Sequence, residues 1–205
     1  MKTDADKSIS SELISIARSY YEHRDRLVYS AKANTFLSGG ELLDVEHGMR
    51  GRIDCSTYIH LILQGIPYEE SPYVHGDPET FYHSGCSWAV RDLADQLRKG
   101  APVRRAHQLA KYYYDRGLCM TGKDWKPGDL LFFQVREEKV DHYLSFNIFK
   151  AIFHIGIVGE DRDHMYESSG HQTKDVEKNY TEPAIRRSLI SERGMPIFYV
   201  QSESL

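Results

Sequence analysis

A chain of 205 residues with 40 % apolar side chains is long enough to bury one full hydrophobic core, but not two independent catalytic domains. Its formal charge of −4, with no basic cluster, gives no electrostatic ground for nucleic acid or an anionic membrane surface as partner, and no apolar run is long enough to span a bilayer. Three cysteines, Cys55, Cys86 and Cys119, are too few and too widely spaced for a disulfide framework or a zinc ribbon; Cys86 and Cys119 read more simply as small buried residues than as a pair.

Residues 1–7 are polar and lack the apolar stretch of a secretory signal, so the compartment stays open: cytoplasmic as the chain stands, or the cell wall if a signal has been removed. Beyond them Ile9, Leu13, Ile16, Ala17, Tyr20 and Leu27 recur at helical spacing behind Asp6 or Ser8 as cap, which predicts an amphipathic helix. Residues 34–52, with Gly39, Gly40, Gly48 and Gly51 among charges, read as a loop. A second helix is expected to open at Asp54-Cys55-Ser56-Thr57 and stop at Gly65; apolar almost all round, it should be buried. Val90, Leu93, Ala94 and Leu97 mark a third helix, and residues 104–116 a fourth, stopped by Gly117.

After the turn Pro127-Gly128-Asp129 the pattern changes to short strands over residues 130–135, 153–158, 165–168 and 197–201. Helices early and strands late predict an α+β domain, with helices packed on a small antiparallel sheet. The expected organisation is a single domain over 1–205: an N-terminal helical extension to about residue 50, then a core with a helical insertion over about 67–120.

Three residues could combine into a nucleophilic site. A thiol attacks as thiolate, and a cysteine in the first turn of a helix has its anion favoured by unpaired backbone N–H groups; Cys55 has that setting, which predicts that it alkylates before the other cysteines. His154 lies in the run Phe153-His154-Ile155-Gly156-Ile157-Val158, where alternation puts Phe153, Ile155 and Ile157 on one face. The imidazole then stands on the other face beside Gly156, a position open to a helix or substrate. Glu167, one hairpin further on, offers a carboxylate to hold the imidazole's second nitrogen; a bulge or a longer turn would instead bring in Tyr166 or Ser168.

Taken together, Asp54-Cys55-Ser56 opening an apolar helix, then Pro127-Gly128-Asp129-Leu130-Leu131-Phe132-Phe133, then His154-Ile155-Gly156-Ile157, resemble the NlpC-type cell-wall peptidases, a bacterial family of papain-like cysteine hydrolases. The resemblance spans residues 54–169. It implies a papain-like fold with the nucleophile at the N-terminus of a buried helix, and hydrolysis of an amide bond in a peptidoglycan stem peptide or muropeptide, commonly between γ-D-glutamate and the diamino acid. It implies Cys55, His154 and Glu167 as catalytic residues and the neighbours Asp54 and Ser56 as substrate-binding, with Asp54 also able to act as helix cap. Three features depart from the family pattern: glutamate at a position where many relatives carry histidine, Phe36-Leu37-Ser38-Gly39-Gly40 in place of a tyrosine-bearing motif, and the long stretch before Gly128. The alternatives are a papain-like hydrolase or acyltransferase acting on a non-wall amide, thioester or ester, and a catalytically silent peptide-binding module.

No cofactor or protein partner is expected. His142, His154, His164 and His171 lack the spacing of a metal site, so no metal is expected either. His60, inside the apolar second helix, reads as a structural histidine. The pairs Arg104-Arg105 and Arg186-Arg187 read as solvated faces, and Tyr112-Tyr113-Tyr114 as aromatics divided between core and surface.

Overall fold

The apolar stripe predicted near the start of the chain becomes helix α1 (Ile9–Glu22), capped by the Ser8 side chain, which accepts from the Ser11 amide at 3.3 Å. Leu27 does not continue it: the helix ends at Glu22, and Leu27 opens a strand. The computed structural model describes residues 8–24, 27–29, 43–44, 50–64, 105–134, 148–170 and 183–205. The third predicted helix, Cys86, His142, His171 and residues 34–40 lie outside them.

Where a loop or helical extension is expected before Asp54, the chain forms a small three-stranded sheet. Strand β1 (Leu27–Tyr29) pairs in parallel with β3 (Arg50–Ile53), and β2 (Leu43–Asp44) pairs antiparallel on the other side of β3. The glycines and charges that signal a loop here are compatible with short strands held by backbone bonds rather than by an apolar alternation. Tyr29 lies opposite Ile53, one residue before Asp54, so the pairing delivers a phenol to the start of helix α2 (Cys55–Gln64).

Helix α2 is buried along its length, with Tyr58, Ile59, Leu61, Ile62 and Leu63 fully covered. Its Tyr58 hydroxyl donates to the Ala17 carbonyl of α1 at 2.7 Å, which ties the two helices together inside the core. Helix α3 (Ala106–Asp115) follows the expected fourth helix; its Tyr113 faces the core, while Tyr114 is exposed.

Six antiparallel strands complete the α+β fold: β4 (Cys119–Met120), β5 (Leu130–Gln134), β6 (Ile152–Val158), β7 (His164–Ser168), β8 (Ile185–Leu189) and β9 (Phe198–Val200), in the order β4-β9-β5-β6-β7-β8. One face buries Leu130, Phe132, Ile155, Ile157 and Val200 against α1, α2 and α3. The other carries a smaller cluster of Trp125, Leu131, Phe133, Val158, Met165, Ile190 and Tyr199. Strand β8 was not legible, because Ile185-Arg186-Arg187-Ser188-Leu189 is a polar edge strand with little apolar signal. It leads directly into a single helical turn, α4 (Ile190–Arg193), closed by Gly194 at φ 89°. Among the described residues, no helix is long and apolar enough to cross a membrane.

The Pro127-Gly128-Asp129 turn is a structural clamp. Gly128 has φ 90°, and a Cβ there would come within 2.8 Å of the Ser10 hydroxyl, so the turn accepts only glycine against α1. Asp129 is buried and its two carboxylate oxygens accept from the Lys126 and Ser202 amides at 2.8 and 2.9 Å, joining the turn to the end of the chain.

Candidate active site

Asp54 is the N-cap of α2. Its Oδ1 accepts from the Thr57 amide at 2.7 Å and from the Ser56 hydroxyl at 2.8 Å, while its Oδ2 lies 3.3 Å from Arg105 Nη1 at the head of α3. Ser56 is buried and directed at its own cap. Both residues are thus bound to their neighbours, and Arg105, expected on a solvated face, reaches into the site. Arg187 keeps to that expectation: it is exposed and pairs with Asp161 at the surface.

Cys55 follows the cap and is 7 % exposed. Its thiol approaches the backbone of β6 on both sides of His154, donating to the Phe153 carbonyl at 3.8 Å and drawing on the Ile155 amide. The strand order explains the fit. Strands β6 and β7 pair at Ile157↔Tyr166 and Val158↔Met165 but not beyond, whereas β7 continues with β8 as far as Ser168↔Ile185. The first turn of α2 meets β6 past the point where that ladder ends.

His154 is 5 % exposed and sits directly opposite Phe133 in the β5–β6 ladder, next to a bulge. Phe133 pairs with His154 but Gln134 pairs with Ile152, leaving Phe153 as the extra residue. Phe153 is accordingly 49 % exposed instead of sharing the core face of Ile155 and Ile157, as strict alternation requires. Gly156 also differs from expectation. A Cβ there would meet Met165 Sδ at 2.7 Å and the Tyr166 carbonyl at 3.2 Å, so the room beside the imidazole is filled by β7, not left open to a helix or substrate.

The three candidates on β7 separate cleanly. Tyr166 turns into the main core and its hydroxyl donates to Glu160, and the Ser168 hydroxyl donates to the Ile53 carbonyl at 3.4 Å. Glu167, 1 % exposed, places Oε2 2.5 Å from His154 Nε2. Its remaining acceptor sites are taken by Ser188 Oγ at 2.7 Å and by Arg193, whose Nε lies 2.9 Å from Oε2 and Nη2 2.8 Å from Oε1. Burial works to raise the Glu167 pKa, but the His154 hydrogen bond and charge and the Arg193 guanidinium outweigh it and hold the carboxyl down at about 2. A carboxylate can only accept, so the proton shared with it belongs to Nε2, and in the neutral form of the ring the lone pair is on Nδ1.

The thiol has no such support. Burial, reinforced by the Asp54 carboxylate, pushes Cys55 up to about 12, against the lowering expected from the helix start. Desolvation in a water-poor site and an anionic cap one residue away exceed the helix-dipole contribution. Cys119 is a free thiol partly buried against the main core, close to the small buried residue expected, and burial raises it to about 11.

Tyr29 is a member of the site that spacing did not reveal. Burial first, then the Cys55 and Asp54 charges, raise its phenol to about 12 against the opposing Arg193 and Arg105. A Cβ on Gly170 would run into its ring, so Tyr29 packs tightly against the chain that follows β7. Its signal was out of reach because it depends on a parallel pairing of short strands. Arg193 and Ser188 come from a segment without a strong pattern and were also missed. Among the described residues, no three His, Cys, Asp or Glu side chains group as metal ligands. A cleft of about 520 Å³ runs along β8, lined by Tyr21, Arg24, Arg186, Arg187 and Glu192, without reaching Cys55 or His154. Compared with known proteins, the chain matches no family model, no curated protein and no solved structure.

Two outcomes follow from these environments. In the unliganded protein at neutral pH, iodoacetamide followed by peptide mass spectrometry should find Cys119 modified before Cys55, with Cys55 modification accelerating as pH rises. Glu167, depressed from 4.5 to about 2, contributes stability that is complete above pH 4.5 and lost as pH falls toward 2. Urea denaturation of Glu167→Gln at pH 7 should therefore show a loss of about 3 kcal/mol, with a flatter decline in stability on acidification than the unaltered chain shows.

Proposed function

We propose that the chain is a papain-like cysteine peptidase of the NlpC type, hydrolysing an amide bond in peptidoglycan stem peptides, with γ-D-glutamyl–diamino acid as the preferred linkage. The observation that carries the reading is the buried His154 Nε2 to Glu167 Oε2 contact of 2.5 Å, on the strand whose backbone receives the Cys55 thiol. A carboxylate that fixes the tautomer of a histidine, on a strand whose backbone meets a cysteine at a helix start, is an arrangement suited to acyl transfer. The order of the Asp54-Cys55-Ser56, Pro127-Gly128-Asp129 and His154-Ile155-Gly156 motifs supports the family assignment.

In the resting site the thiol is neutral and bonded to the Phe153 carbonyl. When a substrate carbonyl arrives, the thiol turns to His154, whose Nδ1 takes its proton as the sulfur–carbon bond forms. Backbone N–H groups at the head of α2 hold the developing oxyanion, and the Tyr29 hydroxyl, protonated at neutral pH, is available as a further donor. Collapse breaks the carbon–nitrogen bond, and the amine leaves with the proton from His154. Water then attacks the thioester, giving its proton to the same nitrogen, and the thiol is regenerated as the acid departs.

A second reading has one observation in its favour: a thiol that is buried, protonated and turned to a main-chain carbonyl also suits a silent module that binds peptide without cutting it. Digestion of purified muropeptides separates the two. The peptidase reading predicts new free amino groups on the diamino acid by mass spectrometry, and losses of more than about 10³-fold in Cys55→Ala and in His154→Ala. Bound but uncut muropeptide, with unchanged affinity in Cys55→Ala, decides for the silent module.

A further inference from the structure

The carboxylate that meets His154 is itself held by a cation from the far end of the sheet. Strand β8 brings Ser188 to Glu167 Oε1 at 2.7 Å, and the turn of α4 that follows carries Arg193 back over the same group. Ile190, buried in the smaller cluster and bonded through its amide to the Asp163 carbonyl at 2.8 Å, anchors that turn, and Gly194 ends it. Arg193 then spans both oxygens of Glu167 and also donates through Nη2 to Ser169 Oγ at 2.5 Å. Four donors thus fill the carboxylate, two of them from one guanidinium.

This has a chemical consequence for the histidine. A lone buried carboxylate against an imidazole favours the ionic pair, and an imidazolium cannot accept a thiol proton. A guanidinium on the same carboxylate supplies the countercharge, so the imidazole need not. We propose that Arg193 is a positioning residue that holds Glu167 ionised and aligned while offsetting its charge, thereby keeping His154 neutral and available as a base. The proposal rests on the reading of Cys55 and His154 as nucleophile and base, and extends it to a residue that never touches substrate. The other charged or titratable groups around the pair, among the described residues, are Cys55 and Asp54 on α2, Arg105 bound to Asp54, Tyr29 on β1, and Arg186 opposite Glu167 in the β7–β8 ladder. Of these cations, Arg193 is the one bidentate on Glu167.

The test is an NMR titration of the His154 ring in the full chain, which needs no substrate, beside the pH profile of muropeptide hydrolysis. In Arg193→Gln the His154 midpoint should rise by about one pH unit or more. The acid limb of kcat/KM should move up with it: a loss of about tenfold at pH values below the new midpoint, little change on the alkaline side, and KM near that of the unaltered chain. Arg193→Lys, which retains the charge, should keep the midpoint close to the original. An unchanged midpoint in folded Arg193→Gln overturns the proposal. If Arg193→Gln fails to fold, Arg193→Lys decides: a midpoint near the original supports the offset of charge, and a rise of a full unit overturns it. A shifted midpoint without muropeptide hydrolysis supports the role of Arg193 while removing the peptidase reading.

Discussion

A buried carboxylate 2.5 Å from a buried imidazole constrains more of this molecule than any other contact. Neither group is stable in a water-poor interior by itself, and breaking such a pair by removing one partner costs about 3–5 kcal/mol. The surroundings are arranged accordingly. Arg193 and Ser188 complete the hydrogen bonds of Glu167, the Phe133 ring lies with its centroid 6.0 Å from that of His154, and the Phe153 bulge adjusts β6 at the point where the imidazole leaves it. The edge strand β8 and the single turn of α4, which contribute little to the main core, make sense as the scaffold of this carboxylate.

The same arrangement accounts for the asymmetry between the two halves of the site. On the sheet side, charge is fully compensated: one carboxylate meets a guanidinium and an imidazole N–H. On the helix side, Asp54 is compensated by its cap bonds and by Arg105, but among the described residues the thiol beside it gains no cation, and burial keeps it protonated. On the proposed peptidase reading, such a site keeps its reactivity in the base rather than in a preformed thiolate. It also keeps the sulfur unreactive toward general electrophiles until something displaces it from the Phe153 carbonyl.

Much of this was legible in the sequence, for definite reasons. A capped apolar run announces a buried helix, so α2 and the position of Cys55 at its head follow from Asp54-Cys55-Ser56-Thr57. The strands that carry His154 and Glu167 are strongly apolar or follow a clear turn, and two-residue periodicity locates them within a residue. What was not legible depends on partners distant in the chain. The bulge at Phe153 is a property of the β5–β6 ladder, and the proximity of Tyr29 follows from a parallel pairing of short strands. The high pKa of Cys55 reflects how deeply α2 is covered. Arg105 read as a solvated charge and Arg193 drew no reading at all, because a sequence does not say which arginine has a buried carboxylate waiting.

On the proposed reading, Glu167 fixes His154 with its proton on Nε2 and leaves Nδ1 bare to accept a thiol proton. A long-range nitrogen–carbon-bound-proton NMR correlation on the histidine ring at neutral pH reads this directly. A protonated-type nitrogen shift for Nε2 and an unprotonated-type shift for Nδ1 are expected. A ring carrying its single proton on Nδ1 would contradict it.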